Sequence, residues 1–271
     1  MSGATPGLAL LREAAALVYV ADLDSPELEP ADAHHLATVL RLQSGEVVAV
    51  SDGAGRFRGC RVVAGGGGGS GSGSGSPRRR ERPATFTLVL DTEVSTVARV
   101  GPQVTVGFSL AKGDRTDWAV AKLSELGVDR IVPLLCERTA VRWGAQAAAH
   151  QHGRLQRIAR ESSMQARRVW LPEVLELTPL AKAAALLGGE VALAEPGGGL
   201  LSLATPVVLV GPEGGFTDRE LGMGLPRVTL GDTILRIETA AVVAGAILAG
   251  LRGGYVGGSE AHEAPAVTPD R

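Results

Sequence analysis

PVVLVGPEGGFTDRE, running from Pro206 to Glu220, decides the fold. A short apolar run of β-branched residues halts at Gly211-Pro212-Glu213-Gly214-Gly215, the signature of a buried strand that ends in a tight turn. The glycine spacing matches neither GxGxxG nor GxxxxGK[ST], so the familiar phosphate cradles are excluded. Such a loop instead lets the backbone come close to a ligand, with free N–H and C=O groups to read an adenine edge. The chain repeats this device on either side. VALAE ends at Glu195-Pro196-Gly197-Gly198, and RVTLG at Gly231, before IETAAVVAGAILAGL reads as a buried closing helix. Three glycine-bearing loops at three strand ends exceed what turns alone require.

Upstream, the strand QVTVGFSLA leads to a helix from Asp114 to Leu126, stopped by Gly127, and then to the strand RIVPLLC. That is a βαβ unit, with Asp114 as N-cap and Gly127 as C′ residue. Strands alternating with helices predict an α/β domain around a mostly parallel sheet, with ligands gathered at the carboxyl ends of its strands.

Before Val97 to Gly101 the pattern differs. LVYVADL, GEVVAVSDGAGRFRGCRVV and ATFTLVLDTE alternate apolar residues with turn signals, which predicts short antiparallel strands. Between them lies a Gly/Ser tract, residues 65–77, expected as an overgrown flexible hairpin loop. The sequence thus divides into a small β domain (1–98), an α/β domain (99–252) and a Gly- and Pro-rich tail (253–271) expected to be disordered.

The chain has 271 residues, a net charge of −2, 45% apolar residues and 37 glycines without a three-residue period, which excludes collagen and a histone-like polycation. Charge counted by segment is more informative. Seven arginines (138, 142, 154, 157, 160, 167, 168) stand against the single acid Glu161, a local balance of +6. On a helical wheel Arg154, Arg157, Glu161, Gln165 and Arg168 share one face, a ridge suited to a polyanion. A second basic cluster, Arg78 to Arg80 with Arg82, adjoins the Gly/Ser tract. Aromatic residues make up 3% of the chain, so RNA binding on a stacking sheet is disfavoured. Two distant cysteines and five histidines form no metal-ligand spacing, so no metal is expected. The apolar run from Thr239 to Leu251 is too short to span a bilayer. Arg12 and Glu13 interrupt the first apolar run, which speaks against a secretory signal, and a reducing cytoplasmic setting is expected.

AHHLATVLRLQSGE (33–46), KGDRTDWAVAKLSELGVDRIVPLLCERTAVR (112–142), RIARESSMQARRVWLPEV (157–174), LVGPEGGFT (209–217) and LGDTILRIETA (230–240) together carry a resemblance. The chain resembles the SPOUT class of S-adenosylmethionine-dependent RNA methyltransferases and, within it, the ribosomal RNA small subunit methyltransferase E family. The resemblance implies an N-terminal PUA-like β-barrel that binds RNA and a C-terminal α/β domain threaded into a trefoil knot. Such knots are rare exceptions to topology rules. It also implies a homodimer and a bent S-adenosylmethionine held by Leu209, Gly211, Gly215, Leu230, Ile234 and Leu235, with Glu195, Glu213 and Thr239 completing the cofactor set. The implied reaction is methylation of N3 of a uridine in 16S ribosomal RNA of the small subunit. For that chemistry Arg236 is expected to stabilise developing negative charge or orient the uracil, and Glu238 to orient Arg236 or relay a proton. The RNA contacts expected are Arg41, Arg115, Arg138, Arg142, Arg154, Arg157, Gln165 and Arg168. Two other activities fit the same scaffold: a noncatalytic RNA-binding or ribosome assembly protein, and a methyltransferase acting on a transfer RNA ribose 2′-hydroxyl. From Phe216 to Val228 the chain is short, so the helix after GPEGG should be TDREL at most.

Overall fold

The computed structural model describes residues 6–64, 86–188, 190–257 and 267–269. They fall into two units, Met1–Ala98 with Ala266–Arg271, and Arg99–Pro265.

The first unit opens with α1 (Pro6–Glu13) and β1 (Leu17–Tyr19), followed by α2 (Pro30–His34) and one π-helical turn, His35–Val39. β2 (Val47–Ser51) runs parallel to β1 and antiparallel to β3 (Arg56–Ala64). Their hairpin is the Ser51-Asp52-Gly53 turn: Oδ1 of Asp52 accepts hydrogen bonds from the Ala54 and Arg56 amides at 2.7 and 3.1 Å. The far half of β3 pairs with β4 (Phe86–Leu90) up to Ala64↔Phe86, while its first residues pair with β5 (Ser95–Val97). The Gly/Ser tract (65–77) and the cluster at Arg78–Arg80 and Arg82 lie outside the described residues. Val48, Phe57, Cys60 and Val62 are completely buried, and Leu36 nearly so.

In the second unit the order is β6 (Thr105–Ser109), α3 (Arg115–Leu126), β7 (Arg130–Leu135), α4 (Ala145–Gln165), β8 (Glu173–Val174), β9 (Thr178–Pro179) and α5 (Leu180–Leu187). Then come β10 (Val191–Leu200), β11 (Val207–Val210), α6 (Asp218–Leu221), β12 (Arg227–Thr229) and α7 (Ile237–Arg252). Every strand pairing in its sheet is parallel, in the order β12-β10-β11-β6-β7-β8, with β9 also on β7. Parallel strands covered on both faces need continuous apolar runs, which these strands supply. α3, α4 and α7 cover one face over Val106, Phe108, Val208 and Val210. α5 and the loop after β11 cover the other, where Leu180, Ala183 and Phe216 meet Val132, Leu134, Leu193 and Leu209.

α3 ends where the sequence places its stop: Gly127 adopts φ +92° and returns its amide to the last turn. Just beyond, the buried carboxylate of Asp129 accepts the Val104 amide at 2.9 Å and pairs with Arg252 at the end of α7. Arg252 also donates to the Gly127 carbonyl at 2.7 Å, so one ion pair fastens the closing helix to the α3–β7 turn.

β13 (Val267–Pro269) pairs antiparallel with β5. Residues 267–269 thus form a sheet edge within the stretch (253–271) expected to be disordered. Composition alone does not reveal that Val267 and Thr268 can extend a sheet edge by backbone hydrogen bonds. Gly254 and Tyr255 also hydrogen-bond back to the end of α7, through the Leu251 and Gly250 carbonyls.

Candidate active site

β12, β10 and β11 are neighbours and end on the same side, so their following loops converge. β10 is irregular here. It pairs Ala194↔Val228, slips, and pairs Gly199↔Val228 again, so residues 195–198 bulge out of the ladder. Gly198 is crowded against β12: a Cβ there would lie 2.6 Å from the Arg227 carbonyl carbon and the Val228 nitrogen. Only glycine fits that close approach.

The loops enclose a cavity of about 300 Å³. Its walls are the runs 194–196, 210–213 with Gly215, and 229–231 with Thr233, Ile234 and Leu235, closed by Ile237 and Ala240 of α7. Of the expected cofactor residues, Glu195, Gly211, Glu213, Gly215, Leu230, Ile234 and Leu235 are in these walls. Leu209 and Thr239 are not. Alternation along β11 sends Leu209 into the opposite layer and presents Val210. On α7, Ile237 and Ala240 share the inward face by i,i+3 spacing, which leaves Thr239 exposed. The walls are apolar (Val210, Leu230, Leu235, Ile237) with glycine backbone between, and two carboxylates, Glu195 and Glu213, stand among them. This suits S-adenosylmethionine: an apolar slot for a flat base, exposed backbone groups for its edge, and acceptors for hydroxyl or ammonium groups.

The GPEGG loop is held from behind. Arg138 donates to the carbonyls of Gly214 at 2.8 Å and Phe216 at 3.2 Å. Thr217 then caps the brief α6: its hydroxyl accepts from the Glu220 amide, while the Glu220 carboxylate accepts from the Thr217 amide at 2.8 Å. The other oxygen of Glu220 accepts the Glu137 amide at 2.9 Å, which ties the loop to the end of β7. Burial, with Glu220 nearby, pushes the neighbouring Cys136 thiol up to about 12. It is a core group and not a nucleophile.

Glu238 lies in the first turn of α7 and is buried. Its Oε1 stands 3.8 Å from Nε of Arg115, and its buried Oε2 has no hydrogen-bond partner. Arg115 reaches across the same space to Oε1 of Glu213 at 3.3 Å. Arg236 is the exposed N-cap residue of α7, and among the described residues no ion pair joins it to Glu238. In this structure the cation beside Glu238 is Arg115. Arg115 begins α3, far away in sequence, so local spacing gave no signal of it.

The basic ridge is largely used within the fold. α4 stops at Gln165, and Arg167 turns with φ +54°, so Arg168 leaves the helical face expected for it. Instead it donates to the Ser124 and Val128 carbonyls at 2.7 and 3.2 Å, covering the C-terminus of α3. Arg154 pairs with Asp117 of α3. Arg142 is exposed and donates to the Glu137 carbonyl at 3.3 Å. Arg157 and Gln165 remain exposed on α4, as does Arg41 in the first unit. Among the described residues no His, Cys, Asp and Glu group could hold a metal ion, and no helix is long and apolar enough to cross a membrane.

A parallel α/β sheet with this cleft has known counterparts. Residues 99–249 match the family described as RNA methyltransferase domain, and residues 28–69 the RNA methyltransferase PUA domain, so by class the chain is an RNA methyltransferase. The ribosomal RNA small subunit methyltransferase E of Synechocystis sp. is 30% identical over 80% of this chain and 70% of its own length. That of Mycobacterium tuberculosis is 31% identical over 78% and 80%. A crystal structure of the Neisseria gonorrhoeae ribosomal RNA small subunit methyltransferase E, bound to S-adenosyl methionine, superposes with a TM-score of 0.68 at 27% identity, covering 89% of this chain and 99% of that one. The chain belongs to the ribosomal RNA small subunit methyltransferase E family.

Proposed function

We propose that this protein transfers a methyl group from S-adenosylmethionine to N3 of a uridine in 16S ribosomal RNA of the small subunit. The cavity at the ends of three adjacent parallel strands, with a buried carboxylate at its margin, carries this reading. Bound S-adenosylmethionine supplies a methyl group on a sulfonium, an already activated donor. What the chain must add is alignment and removal of the N3 proton. Val210, Leu230, Leu235 and Ile237 would hold the adenine, with glycine backbone at its edge, and Glu195 and Glu213 would accept from its polar groups. Glu238, with acceptor capacity at Oε2, relays the N3 proton towards solvent, and Arg236 orients the uracil. Arg157 and Arg41 are exposed cations suited to RNA phosphates. The family's homodimer and trefoil knot belong to the same reading, as does a cytoplasmic setting. Ile234, 94% exposed at the cavity wall, supports the first.

The test is incubation of the protein with small ribosomal subunits lacking the modification and S-adenosylmethionine, followed by nucleoside mass spectrometry. 3-Methyluridine is expected, reduced about a hundredfold or more by Glu238→Gln while cofactor binding by calorimetry persists. A 2′-O-methyl nucleoside, or no product despite cofactor binding, overturns the reading.

A further inference from the structure

Arg115 is among the residues expected to contact RNA. Its surroundings suggest different chemistry. A phosphate clamp projects from the surface with its donors turned outward, whereas Arg115 is only partly exposed and lies between two carboxylates on different elements. One of them, Glu213, lines the cavity, and the other, Glu238, adjoins the wall residue Ile237. Nη1 reaches Glu213 at 3.3 Å and Nε faces Glu238 at 3.8 Å. A guanidinium has five N–H donors in a rigid fork. Among the described residues Nη2 has no partner, and the Nη1 hydrogen bond to Glu213 orients the fork. Glu238 is itself under-satisfied, since its buried Oε2 has no partner, and Arg115 is the cation recorded beside it. Buried carboxylates are costly unless paired, so this loose pairing calls for an explanation in the chemistry of the site.

We propose that Arg115 is a catalytic residue that donates to a carbonyl oxygen of the target uracil and stabilises the imidate charge that develops as N3 loses its proton. The inference rests on the uracil-N3 reading above. As the proton departs through Glu238, the N3–H electron pair becomes the new N3–CH3 bond. The S–CH3 pair stays on sulfur, which leaves as a neutral thioether. Negative charge passes transiently onto the flanking carbonyls, where a preoriented cation acts most strongly in the transition state and little in the ground state. Glu213 and Glu238 are the positioning residues that hold the fork.

The experiment uses the full chain with wild-type, Arg115→Gln and Arg115→Lys proteins, on small subunits carrying either uridine or 5-fluorouridine, whose N3–H is more acidic. With uridine, Arg115→Gln should lower kcat about a hundredfold to a thousandfold, with the S-adenosylmethionine Kd within threefold of wild type. Arg115→Lys should recover at least tenfold of that loss, and 5-fluorouridine should narrow the gap between Arg115→Gln and wild type at least tenfold. Equal losses on both substrates overturn the proposal. So does weaker RNA binding with a salt slope reduced by about one, the behaviour of a phosphate contact. If Arg115→Gln fails to bind cofactor, Arg115→Lys decides: cofactor binding without any 5-fluorouridine benefit overturns the assignment. Wild-type protein that makes no 3-methyluridine overturns the uracil-N3 reading together with this one, whereas an active wild type with an equally active Arg115→Gln overturns this one alone.

Discussion

At the level of single residues, the α/β unit relies on a buried ion pair between Asp129 and Arg252. Asp129 and Arg252 have side-chain exposures of 6% and 13%, and they join turns 123 positions apart. Removing one partner of such a pair leaves the other charge uncompensated in a low-dielectric site, at a cost of about 3–5 kcal/mol. Asp129→Asn keeps an acceptor for the Val104 amide but removes the charge facing Arg252. Its urea midpoint should fall by about that amount divided by an unchanged m value. The double change Asp129→Leu with Arg252→Met removes both charges together and should cost less than Asp129→Asn alone. If it costs more, the pair is a net stabiliser and not a mutual neutralisation. Glu238 obeys the opposite logic: it retains a buried oxygen without a partner, and that deficit is what the proposed chemistry uses.

At the level of elements, what was legible in the sequence followed local periodicity and turn chemistry. β11, α3 with its Gly127 stop, α7 and the short α6 all announce themselves through apolar runs, glycine stops or a capping box. The arginine ridge was legible as charge but not as contact, because hydrogen bonds to distant carbonyls leave no trace in spacing. Arg168 covers the end of α3 and Arg138 braces the GPEGG loop, whereas Arg157 stays exposed on α4. The two kinds of arginine should separate experimentally. Arg168→Ala exposes two buried carbonyls and should lower stability by about 1–3 kcal/mol, with the salt dependence of RNA binding unchanged. Arg157→Ala should leave the melting temperature within about a degree and weaken RNA binding uniformly, reducing the salt slope by about one. If the two variants exchange phenotypes, the division of the ridge is wrong. Leu209 and Thr239 show a finer limit of the same kind: a motif marks the loop, but the two-residue and 3.6-residue periods decide which of its side chains enter the cavity.

For the molecule as a whole, strand order was the least legible property, since β12-β10-β11-β6-β7-β8 is set by long-range pairing that no local pattern encodes. The division into two units has its own thermodynamic consequence. All of the cavity walls belong to Arg99–Pro265, and each unit has buried apolar residues of its own. A ligand that binds only the folded form stabilises what it touches by RT ln(1 + [L]/Kd), about 2.7 kcal/mol at a hundredfold excess over Kd. S-adenosylmethionine at that concentration should slow exchange of the most protected amides of β6, β11 and α7 about a hundredfold. The amides of β2 and β3 should exchange at their former rate, because their opening does not release the ligand. Hydrogen exchange followed by mass spectrometry resolves the two sets. Equal slowing in both would mean that the units open as one cooperative block, and unchanged β6 and β11 would mean that the cavity is not where the cofactor binds.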